Sequence, residues 1–542
     1  MASMKKLQVW LPLLFAIVMI FGMLIGYRLY PNIGNNGFFK TSRRIPVHQV
    51  LDLVNQRYVD PVNMDSLGDE AIEGMLSHLD PHSVFIPATD LGEINEDLEG
   101  NFEGIGVEFQ IFDDTVNVTN VLADGPSDKA GLKVGDKFVK VNDSIVAGNG
   151  ITSEKIKKLL RGPGASSVSA TVLRNNRQQK FIIVRGSIPL PSIDAAYMID
   201  KSTGYIRINK FSETTHREFV EALEKLQQTG LKKLILDLRE NGGGILGEAV
   251  DIADDFLDDE KLIVYTQGLH SQKTEYRCVR EGLFEKGKLV LLVDERTASA
   301  SEILTGALQD WDRAIIIGRR TFGKGLVQEQ YQLSDGSALR LTIARYYTPI
   351  GRSIQKPYNK NDHEAYNEEL LKRFHDGEVL HGDTLLNHNG IPYRTKGGRI
   401  VYGGGGITPD VFVPFDTATI SKNLTSMYVS GMLARFVYLY FIQNQTELSQ
   451  FKSASDFEAN FHGEQRLWQS LVAYAAKDTI NIQNIPPHDK LILQQQTKAL
   501  LARQMWQIDG YFEVANSYDP VVKKAIEVIG NDLAPQQLAQ KH

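Results

Sequence analysis

One cysteine, Cys278, is all that the 542 residues contain. No intrachain disulfide can form, and no Cys/His cluster has zinc spacing, so neither a metal nor a cofactor is expected. Positive charge is not in excess either. Lys and Arg total 59 against 66 Asp and Glu, a net −7, which removes the electrostatic case for nucleic acid. Histidine is sparse, and His363, His375, His381 and His388 fall at irregular spacing in a polar stretch, where they read as solvated side chains. There is no internal repeat. What is present is ordinary for globular chains, with 42% apolar and 23% charged residues.

A long apolar run does occur, from Val9 to Tyr27, after Lys5 and Lys6. Its length, about 19 residues, is near the ~20 needed to span a bilayer. A cleaved signal peptide would have a shorter core and an Ala-x-Ala-like site, for which Gly22-Met23-Leu24 is a poor substitute. No cysteine follows to carry a lipid. The expectation is an uncleaved transmembrane signal anchor at 9–28 with 1–8 cytoplasmic. Arg28, Lys40, Arg43 and Arg44 beyond the run argue for the reverse orientation, so charge alone does not decide it. Met427 to Ile442 is also apolar, but Arg435 interrupts it, and it reads as a buried helix rather than a second span.

Residues 45–100 have helix-like apolar spacing, as in Val47 to Val54 and Ala71 to Leu76. Asp80-Pro81-His82-Ser83 then breaks the pattern, and its residue types suit turn and cap chemistry more than a catalytic His82. Residues 101–187 change to short β-branched runs around Val107, Val116, Phe138 and Thr171, with a helical Ser153 to Leu160. Gly104-Ile105-Gly106-Val107 opens this stretch, and such glycines let main-chain N–H groups converge on an anion or simply make a tight turn. Together with Asp124-Gly125-Pro126-Ser127 and Ala130-Gly131-Leu132-Lys133-Val134-Gly135-Asp136, the stretch resembles a PDZ domain. That resemblance implies that Gly104, Ile105, Gly106 and Val107 receive a substrate C-terminus, the peptide adding as an extra strand.

Residues 188–358 alternate strand and helix. Strands are expected at Gly204 to Ile208, Leu234 to Leu238, Leu262 to Tyr265, Leu289 to Val293 and Ala314 to Ile317. Helices are expected at Glu213 to Gln228, Leu246 to Leu257 and Ala300 to Gln309. This order implies an α/β layer fold with chemistry at strand ends. Residues 359–399 are polar and read as an insertion, 400–415 return to the core, and 416–542 are mostly helical.

Ser299 stands where a strand gives way to a helix, in Thr297-Ala298-Ser299-Ala300-Ser301-Glu302. The spacing of Ser299 and Glu302 fits a capping box, which is its bland explanation. Lys324 follows in Thr321-Phe322-Gly323-Lys324-Gly325. A serine needs a base to be nucleophilic, and a lysine serves only when neutral, which burial favours. Phe322, Leu326 and Val327 supply apolar neighbours, and Gln328 can orient the amine. Acyl transfer also needs oxyanion donors. The Ala300 N–H and the glycines of Asn241-Gly242-Gly243-Gly244 are candidates.

Asp237 to Gly244, Thr297 to Ile303, Thr321 to Gln328, Asp80-Pro81-His82-Ser83 and Gly406-Ile407-Thr408-Pro409-Asp410 together resemble the carboxy-terminal processing (tail-specific) proteases, over roughly 45–415. The resemblance implies a multidomain α/β chain. It would have a crotonase-like core, an inserted PDZ domain, an N-terminal helical segment and a C-terminal helical region. It implies Ser299 as nucleophile in preference to Ser301, Lys324 as general base, Gln328 as its orienter, and Ala300 with Gly243 or Gly244 as oxyanion donors. It further implies unstructured protein tails as substrates and a bacterial inner-membrane protein with periplasmic catalytic domains. The C-terminal region carries no motif; it could dimerise, bind an adaptor lipoprotein or cover the site. A rival reading is an inactive PDZ adaptor that binds protein C-termini.

Overall fold

The computed structural model describes residues 2–29, 46–360, 362–381, 390–416 and 420–531. It forms two compact units, Met1–Ile72 and Glu73–His542. In the first, helix Ala2–Leu29 carries Pro12 in its interior, and helix Val47–Arg57 buries no residue.

Here the membrane expectation has to be corrected. Among the described residues no helix is long and apolar enough to cross a membrane. The anchor at 9–28, the cytoplasmic 1–8 and the inner-membrane, periplasmic assignment built on them are therefore withdrawn. Lys40, Arg43 and Arg44 lie outside the described residues.

The second unit is organised around a six-stranded sheet. Its strands run in the order Ile193–Met198, Thr203–Ile208, Lys233–Asp237, Lys288–Val293, Ile315–Gly318 and Val411–Phe412. The first pair is antiparallel and the rest are parallel. Parallel strands are covered on both faces, which is why they read as unbroken apolar runs. Alternate residues then divide between two cores. Leu234, Leu236, Leu289, Leu291 and Ile316 face helices Thr215–Gln228, Leu246–Asp254 and Ala300–Asp310. Ile235, Val290, Leu292, Ile315 and Ile317 face the other way, onto Val521, Val522, Ala525, Val528 and Ile529 of helix Pro520–Gly530. The motif-free C-terminal region thus supplies one of the sheet's two covers.

A second, antiparallel sheet adds Ile263, Val264 and Tyr346 to the first of these cores. Strand Ala338–Tyr347 is its spine, paired with Leu326–Gln332, with Leu262–Gln267 and with Val84–Ile86. Neither Val84–Ile86 nor Ala338–Tyr347 is legible in the apolar pattern. Residues 107–184 build another antiparallel sheet, with helices Pro126–Ala130 and Ser153–Leu160 and Val107–Phe112 at one edge.

The stretch after 359 is less loop-like than expected. Helix His363–His375 forms there, capped by Asp362, whose side chain accepts the Ala365 N–H at 3.0 Å. Arg373 is buried and donates to the carbonyls of Thr321 (2.8 Å) and Phe322 (3.1 Å), so tertiary bonds fix a helix that its sparse apolar residues do not announce. His388 lies outside the described residues. The buried helix expected over 427–442 is two helices, Lys422–Val429 and Met432–Leu448, parted by Gly431 at φ 66°. Their apolar faces meet helix Pro487–Ala515 in a separate core that includes Phe436, Phe457 and Leu501.

Candidate active site

Two adjacent strand ends build the serine's surroundings. After strand Lys288–Val293, Asp294 folds the chain back by accepting the N–H groups of Arg296 and Thr297, each at 3.0 Å. The Ala298 N–H then donates to the Asn241 carbonyl (3.0 Å), which stitches this turn to the glycine loop beyond Lys233–Asp237. Ser299 follows at φ 57°, ψ −116°, immediately before helix Ala300–Asp310. Such a conformation costs a non-glycine residue on the order of 1–3 kcal/mol and persists only where its surroundings hold it.

Those surroundings are specific. Glu302 Oε2 accepts the Ser299 N–H at 2.9 Å, and the Tyr346 hydroxyl lies 3.1 Å from the Ser299 carbonyl oxygen. Gly243, at φ 96°, packs so closely that an added Cβ would stand 2.7 Å from the Ser299 Cβ and 2.8 Å from the Ala300 nitrogen. Ser301 is in a different position. It is fully buried, and its hydroxyl donates to the Asn241 carbonyl at 3.1 Å.

Glu302 does more than cap. Its Oε2 also accepts the Lys324 N–H (2.8 Å), while Oε1 accepts the Gly323 N–H (2.7 Å) and the Thr321 hydroxyl. One buried carboxylate therefore joins the serine turn to the lysine loop. Burial pushes this carboxyl up to about 7, and the four donors pull against that shift. The Ser-x-x-Glu spacing marks Glu302 in the sequence, but only as a local cap.

Lys324 Nζ donates to Gln328 Oε1 at 3.0 Å. Burial holds the ammonium below its usual range, and the Arg340 guanidinium pushes the same way, against Asp80 and Glu302. Leu326 and Val327 line the cavity beside it, as their position in the sequence suggests. Gln328 is oriented in turn by donating through Nε2 to the His82 carbonyl oxygen.

This gives Asp80-Pro81-His82-Ser83 its place. Asp80 accepts from the hydroxyls of Ser83 (2.6 Å) and Thr342 (2.8 Å), and Ser83 Oγ accepts the Thr342 N–H at 3.1 Å. The turn is thereby fastened to the spine strand, which leaves the His82 carbonyl over Gln328. The His82 ring points elsewhere, with Nε2 2.9 Å from the Tyr366 hydroxyl, and burial pushes its pKa down to about 4.

Ser299, Ala300, Gly242, Gly243, Gly244, Lys324 and Gln328 all line one cavity of about 730 Å³, whose walls include Ile245, Leu246, Ile303, Leu326 and Tyr346. Within it the glycine N–H groups differ. That of Gly243 donates to Asn241 Oδ1 at 2.8 Å. Phe211 bridges to Gly244 by way of the Gly243 carbonyl and the Ile245 N–H, so the Gly244 N–H takes no part in that bridge. The other sequence-predicted group, Gly104 to Val107, leads into the edge strand of the sheet over 107–184. Gly104 ends strand Asn101–Gly104, and the buried Ile105 accepts the Ser127 N–H at 3.0 Å. Gly106 turns at φ 70°, and Val107 begins the edge strand.

Sequence comparison adds an independent line. Residues 202–365 match the profile of peptidase family S41, 104–184 that of the PDZ domain, and 40–89 that of the activating protease CtpB N-terminal domain. Residues 423–507 match a family of unknown function. Among curated relatives, a protein named "Probable CtpA-like serine protease" from Staphylococcus haemolyticus is 35% identical over 305 residues, covering 56% of this chain and 60% of that one. The protein of that name from Staphylococcus epidermidis is 34% identical over 311 residues, covering 57% and 62%. The chain thus spans about three fifths of the length of these relatives. Solved structures with similarity include a photosystem II D1 C-terminal processing protease, 26% identical over 68% of this chain and 86% of that one, at a TM-score of 0.35. The PDZ domain of a carboxy-terminal protease from Vibrio cholerae, solved with a peptide, is 29% identical over 17% of this chain and 99% of that one, at a TM-score of 0.16. An S41 peptidase match, a PDZ match and a CtpB-type N-terminal match in one chain together support the carboxy-terminal processing protease family.

Proposed function

We propose that this chain is a serine endopeptidase that cleaves proteins near their carboxy termini through a Ser299/Lys324 dyad. The observation that carries the reading is the half-buried Lys324 amine, 3.0 Å from Gln328 Oε1 and in one cavity with Ser299. A neutral lysine takes the proton from Ser299 Oγ as the oxygen attacks the scissile carbonyl carbon. The oxyanion forms against the N–H groups of Ala300 and Gly244, Gly243 being engaged by Asn241. As the C–N bond breaks, the proton passes from Lys324 to the leaving amine, and Ser299 keeps the acyl group as an ester. Water then attacks the ester, giving its proton to Lys324, and the acid leaves as Ser299 regains its hydrogen.

The PDZ domain is read as 101–187, with Gly104 to Val107 receiving the tail end. The crotonase-like core is read as 188–358 with 400–415, interrupted by 359–399 and followed by the helical 416–542. Protein tails are the substrates in this reading.

Labelling by a fluorophosphonate probe tests the dyad. Wild type should label and should cleave a tail peptide, and Ser299→Ala should do neither. Equal cleavage by the two proteins refutes the assignment. Lys324→Ala should lose turnover while still binding the tail; joint loss of binding and folding would indicate a structural lysine.

A further inference from the structure

Arginines placed deep in this fold are otherwise satisfied. Arg207, Arg239, Arg319, Arg352 and Arg399 each hold a carboxylate within 3.3 Å. Arg313 donates to three backbone carbonyls, those of Phe256, Gly287 and Phe284. Arg340 differs. It is half-buried on the spine strand and lines the same cavity as Ser299 and Lys324. Its hydrogen-bond partner is a neutral one, Gln330 Oε1 at 2.9 Å. Among the described residues it has no carboxylate partner. The nearby acid of the cavity wall, Asp97, is engaged by Lys210 at 2.7 Å. A guanidinium has five donors in a planar fork that matches a carboxylate, so most of this fork is open toward the cleft.

We propose that Arg340 is a carboxylate-binding subsite of the cleft, which takes either an acidic side chain of the bound peptide or the peptide's own terminal carboxylate. The proposal rests on the reading of this cavity as the peptide-binding cleft. It assigns the cleft a preference that its apolar walls cannot supply. A guanidinium left half-buried beside an amine that must be neutral is costly in the free protein, and a bound carboxylate compensates it. Burial alone depresses the Arg340 pKa, with no protein carboxylate opposing the shift.

The test measures binding rather than turnover, so that it reads independently of whether the chain hydrolyses anything. Fluorescent peptides are titrated into the full chain carrying Ser299→Ala, and into the same chain with Arg340→Gln added. One peptide pair differs by Glu against Gln at successive internal positions, and the other by a free against an amidated C-terminus. The PDZ domain also discriminates the second pair, but its contribution cancels when the acid-to-amide ratio is compared between the two proteins. A charge-assisted hydrogen bond predicts a ratio about tenfold larger with Arg340 present, in one arm, through affinity alone. The arm that responds identifies the source of the carboxylate. Arg340→Met, which keeps the aliphatic stem but not the charge, should lose the same discrimination. Equal ratios with and without Arg340 in both arms overturn the subsite. Discrimination lost on Arg340→Gln but kept in Arg340→Met overturns it as well.

Discussion

Glu302 offers the sharpest test of how the site is held. Its two oxygens divide four donors: Oε2 takes the N–H groups of Ser299 (2.9 Å) and Lys324 (2.8 Å), and Oε1 takes those of Gly323 (2.7 Å) and the Thr321 hydroxyl. In Glu302→Gln, one oxygen becomes an NH₂ group, and the amide will choose the less costly face. A hydroxyl can rotate to accept, whereas a backbone N–H cannot. The NH₂ should therefore turn toward Thr321 and Gly323, leaving the Ser299 and Lys324 bonds in place and one N–H, that of Gly323, facing a donor. Losing one hydrogen bond to a charged group costs about 1.5–3 kcal/mol. If all of that falls on the transition state, kcat drops by about 10- to 150-fold. Glu302→Ala frees all four donors, so its loss should be at least tenfold larger. The assay pairs tail-peptide hydrolysis with amide hydrogen exchange at residues 299, 323 and 324. Glu302→Gln should expose Gly323 alone, and Glu302→Ala all three. Glu302→Ala with kcat within threefold of wild type and unchanged protection would refute the reasoning.

Lys324 acts as a base only when neutral, and burial together with Arg340 lowers its pKa, so kcat/KM should rise with pH as the ammonium deprotonates and then level off. Arg340→Gln removes a like charge, which raises the lysine pKa and moves that rise to higher pH; a rise that moves lower contradicts the electrostatic argument. Gly243→Ala should lower kcat by about 100-fold or more, because a Cβ at 2.7 Å from the Ser299 side chain, on backbone at φ 96°, must displace the serine. Near-normal kinetics for that variant would show that the turn can yield. Val522→Asp places a carboxylate in the core between helix Pro520–Gly530 and the parallel sheet, and should cost about 3–5 kcal/mol in urea unfolding. An unchanged midpoint would mean that the helix is dispensable to the sheet.

Strands buried on both faces were the easiest elements to read from the sequence, because the burial that stabilises them is written as local runs such as Leu289 to Val293. Helix Ser153–Leu160 was equally plain from its period and polar flank. By contrast, strand Ala338–Tyr347 is a run of mostly half-buried residues that includes Arg340, and it borrows its order from three partner strands. Helix Pro520–Gly530 shows the same limit from the other side. Its apolar spacing is visible, but that it covers Ile235 and Val290 is a property of the sheet's unclaimed face.

The site divides along the same line. Ser299, Lys324 and Gln328 sit in short motifs whose residue types already suggest chemistry. The groups that orient them do not. The His82 carbonyl is a backbone atom, so its hold on Gln328 leaves no mark in residue type at position 82 beyond the turn that carries it. Tyr346, whose hydroxyl touches the carbonyls of both Ser299 and Lys324, lies on a strand with no motif. Glu302 is the intermediate case. Its spacing from Ser299 announces a cap, and the cap is real, but the same carboxylate is also the bond between two loops. A motif reports what one helix turn requires of its neighbours in sequence. Catalytic geometry is set by what the turn's remaining lone pairs meet in space, and in this chain those lone pairs meet the lysine loop.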